Sequence, residues 1–233
     1  MRVALLNPNA SHHITERMLA EARGAVNGAC EIVGYTNADG PPAIRSRVDN
    51  AEAIAGLLRL ARAHATRDVD AVILGVSMDT ALDSVRQMLE VPVVGTAEAA
   101  LATAGMLGGK IGLLTVGTAL TPLYAELADH YGYRARVAGI RGIAAPAAYG
   151  AKLAPEVAAL MRDAVVSLCR DDGADVVVTV AAALCGYVPE VAAQAEVPVL
   201  DGIACAAVQA LSLARLRPRK ASYGSFALPR HDA

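Results

Sequence analysis

Asp70-Ala71-Val72-Ile73-Leu74-Gly75-Val76 is followed by Val91-Pro92-Val93-Val94, and Asp175-Val176-Val177-Val178-Thr179-Val180-Ala181 is followed by Val197-Pro198-Val199-Leu200. The first pair of segments is offset by 105 residues (70 to 175) and the second by 106 (91 to 197). A third match joins them, because Arg2-Val3-Ala4-Leu5-Leu6-Asn7 is similar to Lys110-Ile111-Gly112-Leu113-Leu114-Thr115 at an offset of 108 (2 to 110). Three matched strands in one order indicate two copies of a single α/β unit. Related by a pseudo-twofold axis, such copies bring the ends of equivalent strands together in one cleft. Val76 and Ala181 then become opposed positions, and the chemistry is expected between them.

Outward from these segments, short runs of Val, Ile and Leu alternate with longer Ala-rich stretches of helical period, the pattern of parallel sheets with crossover helices. Strands are predicted near 2 to 6, 31 to 35, 71 to 75, 92 to 94, 110 to 115, 135 to 139, 175 to 180 and 197 to 200, with helices between them. Ser11 is a candidate cap for the first helix, and Asp49-Asn50-Ala51-Glu52 offers a similar start for a helix through Arg62. Asn37-Ala38-Asp39-Gly40-Pro41-Pro42 is a loop, placed to line a site at a strand end. The expected architecture is α/β: two pseudo-symmetric lobes, each a parallel-sheet unit, with a cleft between them. The first lobe is assigned residues 1–97 plus 206–233 and the second 98–205; no Pro/Ser-rich linker divides them. The tail from Arg215 to Ala233 reads either as a solvated terminus or as a segment packing near the cleft mouth.

A chain of 233 residues, 55% hydrophobic, can bury a large core. Its net charge of −2, with one Phe and no Trp, argues against a nucleic-acid surface. Four dispersed cysteines (Cys30, Cys169, Cys185 and Cys205) without CxxC spacing fit reduced thiols in a cytoplasm. The first apolar run, Val3 to Leu6, is too short for a signal peptide or a membrane span. A small-molecule partner, no nucleic acid, no membrane, no cofactor, no metal and a homo-oligomer are expected.

Asn7-Pro8-Asn9-Ala10-Ser11, Gly40-Pro41-Pro42-Ala43-Ile44, Asp79-Thr80-Ala81-Leu82-Asp83 and both Val-Pro-Val motifs resemble the aspartate/glutamate/hydantoin racemase superfamily, in its hydantoin and allantoin racemase branch. The resemblance covers essentially the whole chain. It implies cofactor-independent proton transfer at an acidic α-carbon by two cysteines, one per lobe, on opposite faces of the substrate. Aligned on Asp79-Thr80 and on the strand from Asp70, the first of those cysteines falls at Val76. Counted from Asp175 and back from Val197, the second falls at Ala181. Both thiols are absent. A slipped alignment puts Cys185-Gly186 at the second position, and with Pro189-Glu190-Val191 this also resembles the arylmalonate decarboxylase branch, where one cysteine delivers a proton to one face.

Removing a proton α to a carbonyl takes a base on one face, an acid on the other, and donors for the enolate oxygen. Thiols suit the role because their pKa, ordinarily about 8.5, is tunable towards neutrality. Valine and alanine cannot exchange protons. The electrostatic part of the site remains: Asn9, Ser77, Thr80, Thr115, Gly117 and Thr118 at strand ends, with Val76, Ala181 and Ala182, are the expected substrate-binding positions. Cys185, Ser77 and Asp79 are the catalytic candidates. Each has a plainer alternative: Ser77 as a helix cap, Asp79 as a first-turn residue favoured by the helix dipole, Cys185 as a small buried hydrophobe. Asn9 and Thr118 are equally readable as local caps, Tyr187 as an interface or surface tyrosine or a phenolic acid, and His12-His13 as helix-surface residues or as side chains reaching the cleft. Cys30, Cys169 and Cys205 read as core. The leading function is a racemase or epimerase acting on amino acids or hydantoin-type rings. A single-cysteine lyase and a non-catalytic small-carboxylate binder are the alternatives.

Overall fold

The computed structural model describes residues 1–228; the last part of the basic tail, and of the extent assigned to the first lobe, lies outside the described residues. All eight predicted strands are present: β1 (Arg2–Asn7), β2 (Glu31–Thr36), β3 (Ala71–Leu74) and β4 (Val93–Gly95), then β5 (Ile111–Val116), β6 (Val137–Ile143), β7 (Val176–Thr179) and β8 (Val199–Asp201). They form two parallel sheets in the orders β2-β1-β3-β4 and β6-β5-β7-β8. The registers repeat as the sequence does: Val3 pairs with Ala71 and Ile111 with Val176, Val72 with Val93 and Val177 with Val199. Each central strand is covered on both faces, so its residues are apolar without alternation. Val3 to Leu6 and Ala71 to Leu74 are almost wholly buried, as are Val176 to Val178.

The helices are α1 (His12–Val26), α2 (Arg47–His64), α3 (Leu82–Met88), α4 (Thr96–Leu107), α5 (Thr121–His130), α6 (Pro155–Arg170), α7 (Val188–Ala192) and α8 (Gly202–Leu216). Two expectations about their ends change. Ser11 occupies the cap position of α1 without capping through its side chain; its hydroxyl instead donates to the Pro42 carbonyl. Helix α2 starts at Arg47, ahead of the expected Asp49, because the Ser46 hydroxyl accepts from the Asp49 N–H, a Ser-x-x-Asp start.

Two helices cross between the lobes. Ile203, Ala206, Ala207 and Ala210 of α8 pack with Ile14, Met18 and Ala22 of α1 and with Ile73 of β3. Ala100, Leu101 and Ala104 of α4 join Ile111, Val176 and Val178 of the second sheet. The described part of the tail past α8 lies away from the cleft mouth. Pro218, Lys220 and Phe226 lie beside Val91-Pro92-Val93 at the amino-terminal end of β4, and Lys220 Nζ donates to the Arg86 carbonyl.

Candidate active site

In each parallel sheet the order in which strands are added reverses between the first and third strand of the unit, β1/β3 and β5/β7, and a crevice opens at the carboxyl ends of strands at such a switch point. The two crevices form one cavity. Asn9 and Ser77 enter it from the first lobe, Thr115 and Ala182 from the second, and Val76 and Ala181 both line it, as the repeat requires. The space left for the centre of a water-sized molecule is about 50 Å³. A larger depression of about 480 Å³ adjoins it, sharing Val116, Leu120 and Tyr149. The loop expected at a strand end contributes Pro42, Ala43 and Ile44 to the wall.

The cavity is lined with hydroxyls and amides. Buried Asn7 donates through Nδ2 to Asn9 Oδ1 at 3.1 Å, and Ser11 N–H donates to the same oxygen at 2.9 Å, which leaves the Asn9 amide NH2 for the cavity. Ser77 Oγ and Tyr124 Oη are 2.6 Å apart in a buried hydrogen bond in which either group can donate. Burial pushes the Tyr124 phenol up to about 12, against the opposing pull of the Ser77 and Thr115 hydroxyls. Thr115 Oγ1 makes no hydrogen bond of acceptable geometry, although it lies close enough to Tyr124 to act on its titration. Such a group, buried at a residue that lines a cavity, lacks a partner among the described residues. Tyr124 and Tyr149 were not singled out in the sequence. The available signal was scarcity, since the chain has eight aromatic residues of the Phe, Trp and Tyr types, seven of them Tyr.

The second-lobe wall is held by α1 of the first lobe. Arg17 donates from Nη1 to the Ala148 carbonyl at 2.8 Å, from Nη2 to those of Ala183 and Cys185 at 2.7 and 2.6 Å, and from Nε to Cys185 at 3.2 Å. His13 Nε2 donates to the Tyr149 carbonyl at 2.9 Å. One guanidinium thus fixes both short 3-10 turns, Pro146–Tyr149 and Ala182–Leu184, that carry Tyr149, Ala182 and Ala183.

Several expected site residues lie elsewhere. Thr80 is buried and donates to Asn50 Oδ1, because the turn after β3 directs it towards α2. Gly117, with φ 78°, lines only the adjoining depression. Thr118, exposed at the start of the 3-10 turn Thr118–Leu120, lines neither space. Ser77 is not the cap of α3, whose cap position is Ala81. Asp79 is not in the first turn of α3 either. With φ 48° it adopts the left-handed conformation, as does Ala81 at 54°, and its carboxylate accepts from the N–H groups of Ala97 and Glu98 at the start of α4, 2.9 Å each, and from Tyr131 Oη at 2.8 Å. Cys185 is 1% exposed and faces the α1/α8 core, not the cavity. Burial first, then the Asp201 and Glu21 carboxylates, raise its thiol well above the ordinary range. Tyr187 stacks under Arg17 and accepts the Ala154 N–H.

The profile of the Asp/Glu/hydantoin racemase family matches residues 3–210. The chain belongs to this family. It is 26% identical over 204 residues to hydantoin racemase of Pseudomonas sp. (strain NS671), covering 87% of this chain and 82% of that one. It is 27% identical over 234 residues to hydantoin racemase of Paenarthrobacter aurescens, covering 98% of each. Its fold is similar to that of allantoin racemase from Klebsiella pneumoniae, with a TM-score of 0.93 and 25% identity over 100% of this chain and 95% of that one.

In this member of the racemase family the two halves solve one electrostatic problem differently. Helix α4 follows Gly95 and is capped by Asp79, from the loop after β3; a Cβ on Gly95 would lie 2.6 Å from that carboxyl carbon. Helix α8 follows Asp201, which caps it directly by accepting from Ile203 and Ala204 N–H at 2.7 and 3.2 Å. Beside that cap lies Cys185, whose Sγ is 3.8 Å from Asp201 Oδ1.

Burial raises Asp79 from 3.8 to about 6 and Asp201 from 3.8 to about 7, outweighing the helix N–H donors. The folded chain therefore holds more protons than the unfolded one between 3.8 and those values. This stabilisation is complete below the unfolded pKa and is lost as pH rises through 6 and 7. Melting temperature is expected to increase from pH 8 to pH 5, and the Asp79→Asn, Asp201→Asn double variant to flatten the rise. A wild-type melting temperature that falls over that range would count against burial as the dominant effect.

Proposed function

We propose that this protein is a cofactor-independent racemase or epimerase acting at the acidic carbon of a hydantoin-type ring or a related small amino-acid derivative, without the thiol pair that the family resemblance implies. The observation carrying this reading is that Val76 and Ala181, from matched strands of the two lobes, line one cavity together with Asn9, Ser77 and Thr115. Hydroxyl and amide donors around a small ring are what a developing enolate oxygen requires. The hydantoin racemase relatives and the allantoin racemase structure support the same substrate class. Residues 1–97 with the chain from 206 onward, and residues 98–205, are the two lobes of this proposal. A homo-oligomer and a cytoplasmic location complete it, to be checked by light scattering and by fractionation. Among the described residues no helix is long and apolar enough to cross a membrane.

One observation favours a second reading, a non-catalytic binder. Among the described residues, the side chains lining the cavity include no Cys, His, Lys or carboxylate. The lyase reading loses support because Cys185 does not reach the cavity. Incubation with optically pure hydantoins, allantoin and amino acids in D2O separates the two that remain. Deuterium entering the α-position above the enzyme-free rate is the expected result. Thermal stabilisation by a hydantoin without any such incorporation would establish the binder instead.

A further inference from the structure

The carboxyl ends of the outer strand pairs differ between the two sheets. In the first, β1 and β2 end on the pair Asn7–Thr36, and beyond it buried Asn37 donates from Nδ2 to the Pro8 carbonyl at 3.0 Å. The packing there is tight: a Cβ on Gly56 would lie 2.1 Å from that nitrogen, and one on Gly40 2.6 Å from it. In the second, β5 and β6 end on the pair Val116–Ile143. The residues that follow, Gly117 and Ala144, line the depression of about 480 Å³ beside the candidate active site. The cavity itself, with about 50 Å³ for the centre of a water-sized molecule, has room for a compact ring but not for a long chain attached to it. Such a chain passes Val116, Leu120 and Tyr149, the walls that the two spaces share, and enters the depression.

The depression is mostly apolar, with Leu120, Ile143, Ala145 and Pro146 in its walls. Among the described residues its one charged lining side chain is Arg45, set in the loop before α2 with its N–H donating to Asp49 Oδ2 at 2.8 Å. The guanidinium lies 4.9 Å over the Tyr149 ring. No carboxylate meets it: Asp49 accepts the backbone N–H of Arg45, and Glu126 is held by Arg47 through two donations of 2.9 and 2.6 Å. A cation with open N–H donors beside apolar walls matches a chain of opposite charge, because a guanidinium fork fits a carboxylate.

We propose that this depression receives the chain on the substrate's acidic carbon and selects one that is apolar along its length and ends in a carboxylate, which Arg45 binds. The inference rests on the racemase reading above and names the substrate class of that same site. The ring lies among Asn9, Ser77 and Thr115, the methylenes pass Val116 and Leu120, and the terminal carboxylate reaches the guanidinium. Arg45 is then a specificity residue and takes no part in moving the α-proton.

The test is calorimetric binding of 5-(ω-carboxyalkyl)hydantoins, from carboxyethyl to carboxybutyl, each beside its primary amide, which has the same shape without the charge. The best acid is expected to bind about fivefold tighter than its amide at low salt, the upper end for an exposed ion pair, and the preference should shrink as salt is raised. Arg45→Gln should remove the difference between acid and amide; Arg45 is exposed, so the fold should tolerate the change. Ala144→Trp, also at an exposed position, should weaken the chain-bearing hydantoins about tenfold more than hydantoin itself, because the indole occupies the depression. Acid and amide bound alike by the wild type, a preference that survives Arg45→Gln, or an Ala144→Trp effect equal for all ligands overturns the inference. The racemase reading stands in each of those cases, provided that the bound hydantoins exchange their α-proton in D2O. A panel that neither binds nor exchanges overturns both.

Discussion

The Val76→Cys, Ala181→Cys double variant is expected to exchange the α-proton of a hydantoin about a thousandfold faster than the wild type, within the span that positioned acid and base groups supply. The two positions line one cavity from opposite lobes, so a thiol at each would face the two sides of a ring bound between them. Neither change strains the packing: cysteine is smaller than the valine it replaces, and at 181 it adds one sulfur beside a cavity of about 50 Å³. A folded double variant with wild-type rates would mean that residues 76 and 181 do not flank the reacting carbon.

Arg17→Ala is expected to cost about 3 kcal/mol of stability, seen as a fall of about 6–12 °C in melting temperature. The side chain's four short donations end on the carbonyls of Ala148, Ala183 and Cys185, which lose a charged donor when it is removed. Its guanidinium also lies over the Tyr187 ring, 5.2 Å from the centroid. Arg17→Lys should recover only part of the loss, because an ammonium cannot present the planar fork that meets three carbonyls at once. Ligand affinity should fall with stability in both variants, since the turns that Arg17 holds carry Tyr149, Ala182 and Ala183. A loss below roughly 1 kcal/mol in thermal and urea unfolding would show that the lobes are fixed mainly by α4 and α8.

The architecture was legible because its signals are short and local. Uninterrupted apolar runs at Val3 to Leu6, Ala71 to Leu74 and Val176 to Val178 report strands covered on both faces, and their repetition reports the second lobe. The repeat also put Val76 and Ala181 at one cavity. The site chemistry was less legible because it depends on direction. Asp79 turns away from α3 through a left-handed backbone and caps α4, a helix whose N–H groups lie at Ala97 and Glu98. Cys185 lies only a few residues past Ala181, yet the intervening 3-10 turn faces it into the core. Tyr124 meets Ser77 across 47 positions of sequence, and no local pattern reports a contact of that range. The alternatives weighed for Ser77 divide in the same way: its hydroxyl lines the cavity because α3 begins later, at Leu82.

The exchange of α4 and α8 between the lobes means that neither half owns its outer layer. A chain severed after α4 would leave β3 stripped of the helix that packs on it and would take from β7 the helix that packs there. The halves are therefore interlocked, like two hands each gripping the other's wrist, and neither is expected to hold its fold when expressed without the other. At the rim of the site the same grip recurs in miniature, where Arg45 on one side lies 4.9 Å over the ring of Tyr149 on the other.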